Sequence, residues 1–134
     1  MTPVQSATET RANFKAALDL AEQGISVPVM RGGHLTALVD ANRLRESLLH
    51  LVNPDVQITC GEHEWWATVG DIPSITATGD DFDTAVVDLI SAVREYAFDW
   101  NNDLRLYPNH ADNWGFVQIV SLSTDAQLRD WLTQ

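Results

Sequence analysis

Five of the eight basic side chains in this sequence, Arg11, Lys15, Arg31, Arg43 and Arg45, fall between Thr8 and Val52. Clustered arginines of this kind can touch phosphate even where the surrounding charge is balanced. Asp80, Asp81 and Asp83 could in principle hold magnesium or do acid/base work. They stand just ahead of an apolar-periodic run, however, where helix capping accounts for them with fewer assumptions. Asp99, Asn101 and Asp103 imitate the first ligands of a calcium loop, but Leu104 occupies the glycine position and His110 the twelfth. The four histidines, His34, His50, His63 and His110, include no pair at the i, i+4 spacing that would place both on one helix face. Cys60 has no second thiol with which to build a disulfide or a zinc site. Phosphate-binding glycine loops, nucleophile elbows and spaced Cys/His pairs are absent from the sequence. No catalytic residue, metal or cofactor is assigned. The adjacent pair Trp65 and Trp66 is a different signal, because successive strand residues face opposite ways. One of the two is therefore a candidate for an exposed or interface position.

The elements that must position these residues are bounded by composition. A chain of 134 residues with 45% hydrophobic content is ordinary for one folded domain or two very small ones. No apolar run approaches the roughly 20 residues needed to span a bilayer, and the N-terminus lacks the regions of a signal peptide. The expected compartment is the cytoplasm, with no membrane partner. The formal net charge of -11 is unevenly spread. Residues 1–53 carry five basic groups against Glu9, Asp19, Glu22, Asp40 and Glu46, net zero, while the rest carries Arg94, Arg105 and Arg129 against 14 acids, 3 − 14 = −11. An acidic half repels nucleic acid and favours cationic partners, whereas a balanced half with clustered arginines can still meet phosphate.

Ser6 and Glu9 have capping-box spacing, and Phe14, Ala17, Leu18 and Ala21 form one apolar stripe of a helix that Gly24 closes. Ile25–Met30 reads as a strand ending at Arg31, Gly32-Gly33 as a two-residue hairpin turn, and His34–Val39 as the returning strand. Asp40 caps a second helix with Leu44, Leu48, Leu51 and Val52 buried, stopped by Pro54. A unit of two helices and a hairpin has little interior and calls for a partner subunit. Beyond the junction at Asn53-Pro54-Asp55, strands are predicted at Val56–Cys60, Trp65–Val69 and Ser74–Thr78. A helix from Phe82 to about Trp100 follows, its apolar face supplied by Phe82, Val86, Leu89, Ile90, Val93, Ala97 and Trp100. Asn101–Gly115 reads as loop, Phe116–Leu122 as a strand, and Thr124 caps a last helix bearing Leu128, Trp131 and Leu132. The expected class is α+β: an α-β-β-α unit over 1–53 and a β-β-β-α-β(-α) unit over 54–134.

The residues Arg11, Asn13 and Phe14, the run VPVMRGG at 27–33 and ALVD at 37–40 resemble the N-terminal domain of the Phd/YefM antitoxin family. In that family the domain dimerises and binds the operator of its own operon. The resemblance implies DNA contact by Arg11 and Arg31, with Asn13 and Lys15 as additions; arginine can pair with phosphate or read guanine, and a two-fold dimer presents two copies to a palindrome. WWATVGDIPSITATGDDFDTAVVDLISAV in the second half is similar to HicB-type antitoxin domains, a partial RNase H-like fold. It departs in having Ser74 where glycine is usual and Asp81 where threonine usually caps. That family acts by occupying its toxin, and members of the first family usually carry a disordered toxin-binding tail instead.

The combination implies an antitoxin and not an enzyme: a homodimer or higher even oligomer that represses its own operon through the first unit. Its second unit would neutralise a basic toxin, one acting on RNA, with Trp65, Trp66, Asp80 and Asp81 as toxin-binding candidates. Two rivals are a metal-dependent nuclease using Asp71, Asp80 and Asp83, and a module whose first unit only dimerises.

Overall fold

The computed structural model describes residues 3–134. The chain divides into two compact units, the first running to Ser47 and the second from Leu48 to Gln134. The division falls inside a helix, ahead of the junction expected at Asn53-Pro54-Asp55. The architecture is mixed α+β, with two separate three-stranded sheets.

The first unit begins with a strand too short to show any periodicity, β1 (Gln5–Ser6), which pairs in parallel with β2 (Val27–Arg31). The single helix expected next is two: α1 (Ala7–Ala12) and α2 (Phe14–Glu22). Asn13 separates them, at φ −119° and ψ 33°, and its side-chain amide donates to the Glu9 carbonyl at 3.1 Å. Asparagine competes with the backbone in this way, which is why it breaks helices more readily than it continues them. Ser6 accepts from the Glu9 amide at 3.1 Å, but the Glu9 carboxylate accepts from the Ser6 hydroxyl, so the reciprocal half of the capping box is not formed with the backbone. The chain leaves α2 with Gly24 donating to Ala21 and Ile25 to Leu20, a Schellman ending.

β2 pairs antiparallel with β3 (His34–Leu38) in a register that sets Arg31 against His34. The connecting Gly32 and Gly33 both adopt positive φ, 55° and 79°, as a two-residue turn with the right-handed strand twist requires. Asp40 accepts from the Arg43 amide at 3.0 Å and starts α3 (Ala41–Leu51). Of the stripe expected to be buried on that helix, Leu48 is buried, Leu44 and Val52 are half-buried, and Leu51 is 80% exposed.

In the second unit β4 (Val56–Cys60), β5 (Trp65–Val69) and β6 (Thr76–Gly79) form an antiparallel meander in that order. The long helix α4 (Phe82–Asn102) covers one face, burying Val86, Leu89, Val93, Ala97 and Trp100 with Ala67, Val69 and Ala77 of the sheet. Gly79 lies under its first turn. A Cβ there would stand 2.7 Å from the Thr84 carbonyl carbon and closer still to the Ala85 amide nitrogen.

The predicted strand Phe116–Leu122 is instead a helix, α6 (Trp114–Leu122), and the expected loop before it contains a 3-10 turn (Leu104–Leu106) and α5 (Pro108–Ala111). An apolar run without alternation fits a buried helix as well as a buried strand, and β-branched content misleads when tertiary burial decides. Phe116, Val117, Ile119 and Val120 are all buried, and the sheet stays three-stranded, one strand short of the expected β-β-β-α-β order. The last helix, α7 (Asp125–Leu132), starts at the expected Thr124 in a complete capping box with Gln127 and buries Leu128, Trp131 and Leu132. Among the described residues no helix is long and apolar enough to cross a membrane.

Gly79→Ala should destabilise the second unit by about 1–3 kcal/mol, because the atoms that the new methyl meets are backbone and cannot swing aside. Urea unfolding followed by tryptophan fluorescence measures this. A loss under about 0.5 kcal/mol, the range of an ordinary surface substitution, would show that the strand–helix approach is looser than described.

Candidate functional site

Each unit carries one candidate surface. On the first, Ala17, Ala21 and Val27 are the buried apolar residues among those described. Phe14 is 50% exposed, and Val4, Leu18 and Val39 are exposed as well; Leu35, 56% exposed, and Met30 project from the other face of the sheet, out of phase with Val29 and Thr36. A groove of about 580 Å³ runs between Thr10, Arg11 and Phe14 on the helical side and Val29, Thr36 and Leu38 on the sheet. Exposed apolar side chains in this number on so small a unit make the groove a candidate interaction surface.

The four candidate DNA-contacting residues are not equivalent. Arg31 stands exposed at the hairpin tip, and Arg11 lines the groove; among the described residues neither makes an ion pair. Lys15 pairs with Asp19 at 3.0 Å along a helix face, a contact that solvent and salt weaken readily. Asn13 has its amide committed to Glu9 at the helix break. Arg43, which carried no assigned role, has a structural one: its guanidinium donates to the Glu22 carbonyl at 3.3 Å and sits 3.4 Å from Asp40, fastening α3 to the end of α2. Arg45 is buried, with Glu46 as its partner at 2.9 Å.

On the second unit the tryptophan pair splits as strand geometry demands. Trp65 faces α4 and meets Phe82 edge-on, with ring centroids 5.8 Å apart. Trp66 faces outward, 52% exposed, and its indole N–H donates to Glu64 Oε1 at 2.6 Å. Asp80 is exposed and unbonded, whereas Asp81 is occupied in capping α4: its Oδ1 accepts from the Thr84 hydroxyl at 2.5 Å and the Thr84 amide at 2.7 Å. Those bonds, the hydroxyl first and the amide second, hold the Asp81 carboxyl below the ordinary 3.8.

The acids of a nuclease are not assembled. β5 and β6 run antiparallel with Trp65 opposite Gly79, so Asp71, beyond Val69, and Asp80, beyond Gly79, lie at opposite ends of the sheet. Asp83 pairs with Arg129 at 2.7 Å. Asp99 and Asn101 fall within α4, where alternate residues point apart instead of converging on one cation. Among the described residues no group of three or more His, Cys, Asp or Glu side chains is placed to hold a metal ion.

The second unit does contain a polar cluster that spacing alone did not suggest. The Tyr96 hydroxyl meets His110 Nδ1 at 2.8 Å and accepts from Asn113 Nδ2 at 2.8 Å, while the Trp100 indole donates to the His110 carbonyl at 2.8 Å. Burial pushes the Tyr96 phenol above its ordinary 10.0, against the opposing effect of the Asn113 bond. The cluster pins α5 to α4. Arg94 does similar work on α6, donating to the Val120 and Ser123 carbonyls at 2.8 and 2.9 Å and to Asp125 at 2.8 Å.

No protein-family model matches the chain, and no curated protein matches it. One solved structure does. An antitoxin has this fold. It is the crystal structure of the antitoxin part of a proposed toxin/antitoxin system from Syntrophomonas wolfei subsp. wolfei, at a TM-score of 0.78 and 19% identity. The match covers 97% of this chain and 96% of that one, so both units are shared. At this identity the likeness concerns the fold, and the assignment of the two halves to Phd/YefM and HicB-like families is not decided by it.

Asp81→Asn should be less stable than the parent at neutral pH, and the two should converge in acid. A depressed folded-state pKa contributes stability above the unfolded value of 3.8 that is lost as pH falls through the lower folded value. Thermal unfolding of both proteins between about pH 7 and pH 2 measures the difference. A gap that stays constant over that range would contradict a charge-dependent cap.

Proposed function

We propose that the protein is the antitoxin of a type II toxin–antitoxin pair. Its first unit dimerises through the apolar groove around Phe14 and presents Arg31, with Arg11, to operator DNA of its own operon. Its second unit binds a basic, RNA-acting toxin and blocks the cationic surface on which that toxin would hold its substrate. The protein works in the cytoplasm as a homodimer or higher even oligomer, and it is not an enzyme.

The observation that carries this reading is the extent of the structural match to an antitoxin, which runs through both units instead of stopping at one. The resemblance of VPVMRGG and its neighbours to Phd/YefM domains supports the DNA-binding half. The charge division supports the other, because a surface net -11 beyond residue 53 speeds encounter with a cationic partner and discourages nucleic acid. Arg11 and Arg31 are favoured over Lys15 and Asn13 because they are free of internal partners among the described residues.

Two measurements test the reading directly. The protein should shift DNA carrying its own promoter, and it should copurify with the product of the adjacent gene when the two are coexpressed; failure of both overturns it. Arg31→Ala should weaken operator binding about tenfold or more and flatten the dependence of log affinity on log salt by about 2 for a dimer, one phosphate contact per protomer. Unchanged affinity and slope would remove Arg31 from the interface and favour a first unit that only dimerises.

A further inference from the structure

The outer face of the β4–β5–β6 sheet is uncovered in this chain, and its composition is unusual. Gln57, Thr59, Thr68, Thr76 and Thr78 are all exposed there, and the single large apolar group among them is Trp66. The register places Thr59 on one side of Trp66 and Thr78 on the other, so the indole rises from a flat bed of short polar side chains. A tryptophan with no apolar neighbours on its own face is not there for packing.

The charges around it are all of one sign. Cys60 pairs with Trp65 and Trp65 with Gly79, so the β4–β5 turn carrying Glu62 and Glu64, and Asp80 just after β6, come to the same end of the sheet as Trp66. His63 in the same turn is exposed beside Glu62. Between Arg45 and Arg94 the sequence contains no lysine or arginine. The three arginines of the second unit are already engaged: Arg94 with Asp125, Arg129 with Asp83, and Arg105 with the Asn101 and Asn102 carbonyls. Nothing in this unit supplies the cation that an acid-rimmed aromatic face would attract.

We propose that Trp66 and Glu64 form a receptor for an arginine side chain of the protein partner. The Glu64 bond to the indole N–H at 2.6 Å fixes the ring and brings a carboxylate to its edge. A guanidinium lying on the ring face gains the cation–π attraction and reaches that carboxylate, with Glu62 and Asp80 adding long-range pull. Guanidinium suits this arrangement better than ammonium because it is planar, weakly hydrated and able to stack and bond in one pose. The flanking threonine hydroxyls can bond the remaining N–H groups. A nucleobase would also stack on Trp66, but its phosphates would meet only carboxylates.

The inference rests on the reading that the second unit binds a cationic protein, and it can fail separately from that reading. The test follows the Trp66 indole N–H signal in nitrogen-15 correlation spectra of the full chain, titrated with tetra-arginine and tetra-lysine peptides and with oligothymidylate. Tetra-arginine should move that signal and bind at least about fivefold more tightly than tetra-lysine; Glu64→Gln should remove the preference in the same signal, and Trp66→Ala should remove it in peptide binding measured by calorimetry. Both substitutions are at exposed positions, so retained circular dichroism verifies the fold. An unmoved indole, equal affinity for the two peptides, or a stronger response to oligothymidylate overturns the proposal. Pull-down of the adjacent gene product then separates the two ideas. A wild-type complex that Trp66→Ala and Glu64→Gln leave intact overturns the arginine receptor and preserves the antitoxin reading. An arginine-selective signal with no complex preserves the receptor and removes that partner.

Discussion

Most of what distinguishes the two halves of this protein follows from how little apolar surface the first unit can bury. Its buried apolar side chains are Ala17, Ala21 and Val27, while Phe14, Leu18, Met30 and Leu35 remain in contact with water. Burial stabilises by about 25 cal/mol per Å², so an interior of two alanines and a valine offers little against the entropy of ordering some fifty residues. The local devices are well formed: the glycine turn, the Schellman ending of α2, and Arg43 fastening α3. These direct the chain but bury little apolar area. In the proposed dimer, association that covers exposed apolar side chains would add burial and make folding depend on concentration. The same proposal accounts for DNA binding by a unit of zero net charge, since a two-fold axis would double each free arginine.

The second unit stands in contrast. It buries a continuous set of large side chains between α4, the sheet, α6 and α7, among them Leu89, Ile119 and Leu128. Its three arginines hold that structure together, and Arg94 ties two carbonyls and a carboxylate across the α6–α7 connection. Using the cations internally leaves the surface almost wholly acidic. Stability and electrostatic character are thus linked: each arginine that fixes the helices is already paired with a carboxylate or with backbone carbonyls, and the excess charge of the unit is acidic.

Turn and cap chemistry was legible in the sequence because each device depends on a few neighbouring residues. Gly32-Gly33, Asp40, Asp81 and Thr124 were all expected and lie where local geometry requires them. Alternation along β5 implied that one tryptophan must face out, and the packing of α4 on the sheet, with Phe82 against Trp65, identifies Trp66 as that residue. What could not be read locally was set by tertiary burial. Phe116–Leu122 is short and rich in β-branched residues, with only Gln118 and Ser121 to mark a polar helix face, and packing on α4 makes it helical. β1 has two residues and exists through its pairing with β2. Leu51 fits the apolar stripe of α3 and is nevertheless exposed, because periodicity identifies a face without saying what lies against it. Of the site residues, the aspartates lost or kept availability according to bonds invisible in sequence: Asp81 caps a helix, while Asp80 remains free.

The exposed apolar groove of the first unit is proposed as an interface between copies of this chain, and the mass in solution decides whether it is one. Light scattering at micromolar concentrations should return twice the chain mass of 14.9 kDa, or a higher even multiple. Introducing a charge through Phe14→Glu should lower the mass and melt the first unit while the second stays folded. A parent protein that runs as a 14.9 kDa monomer with its first unit fully folded would contradict the account.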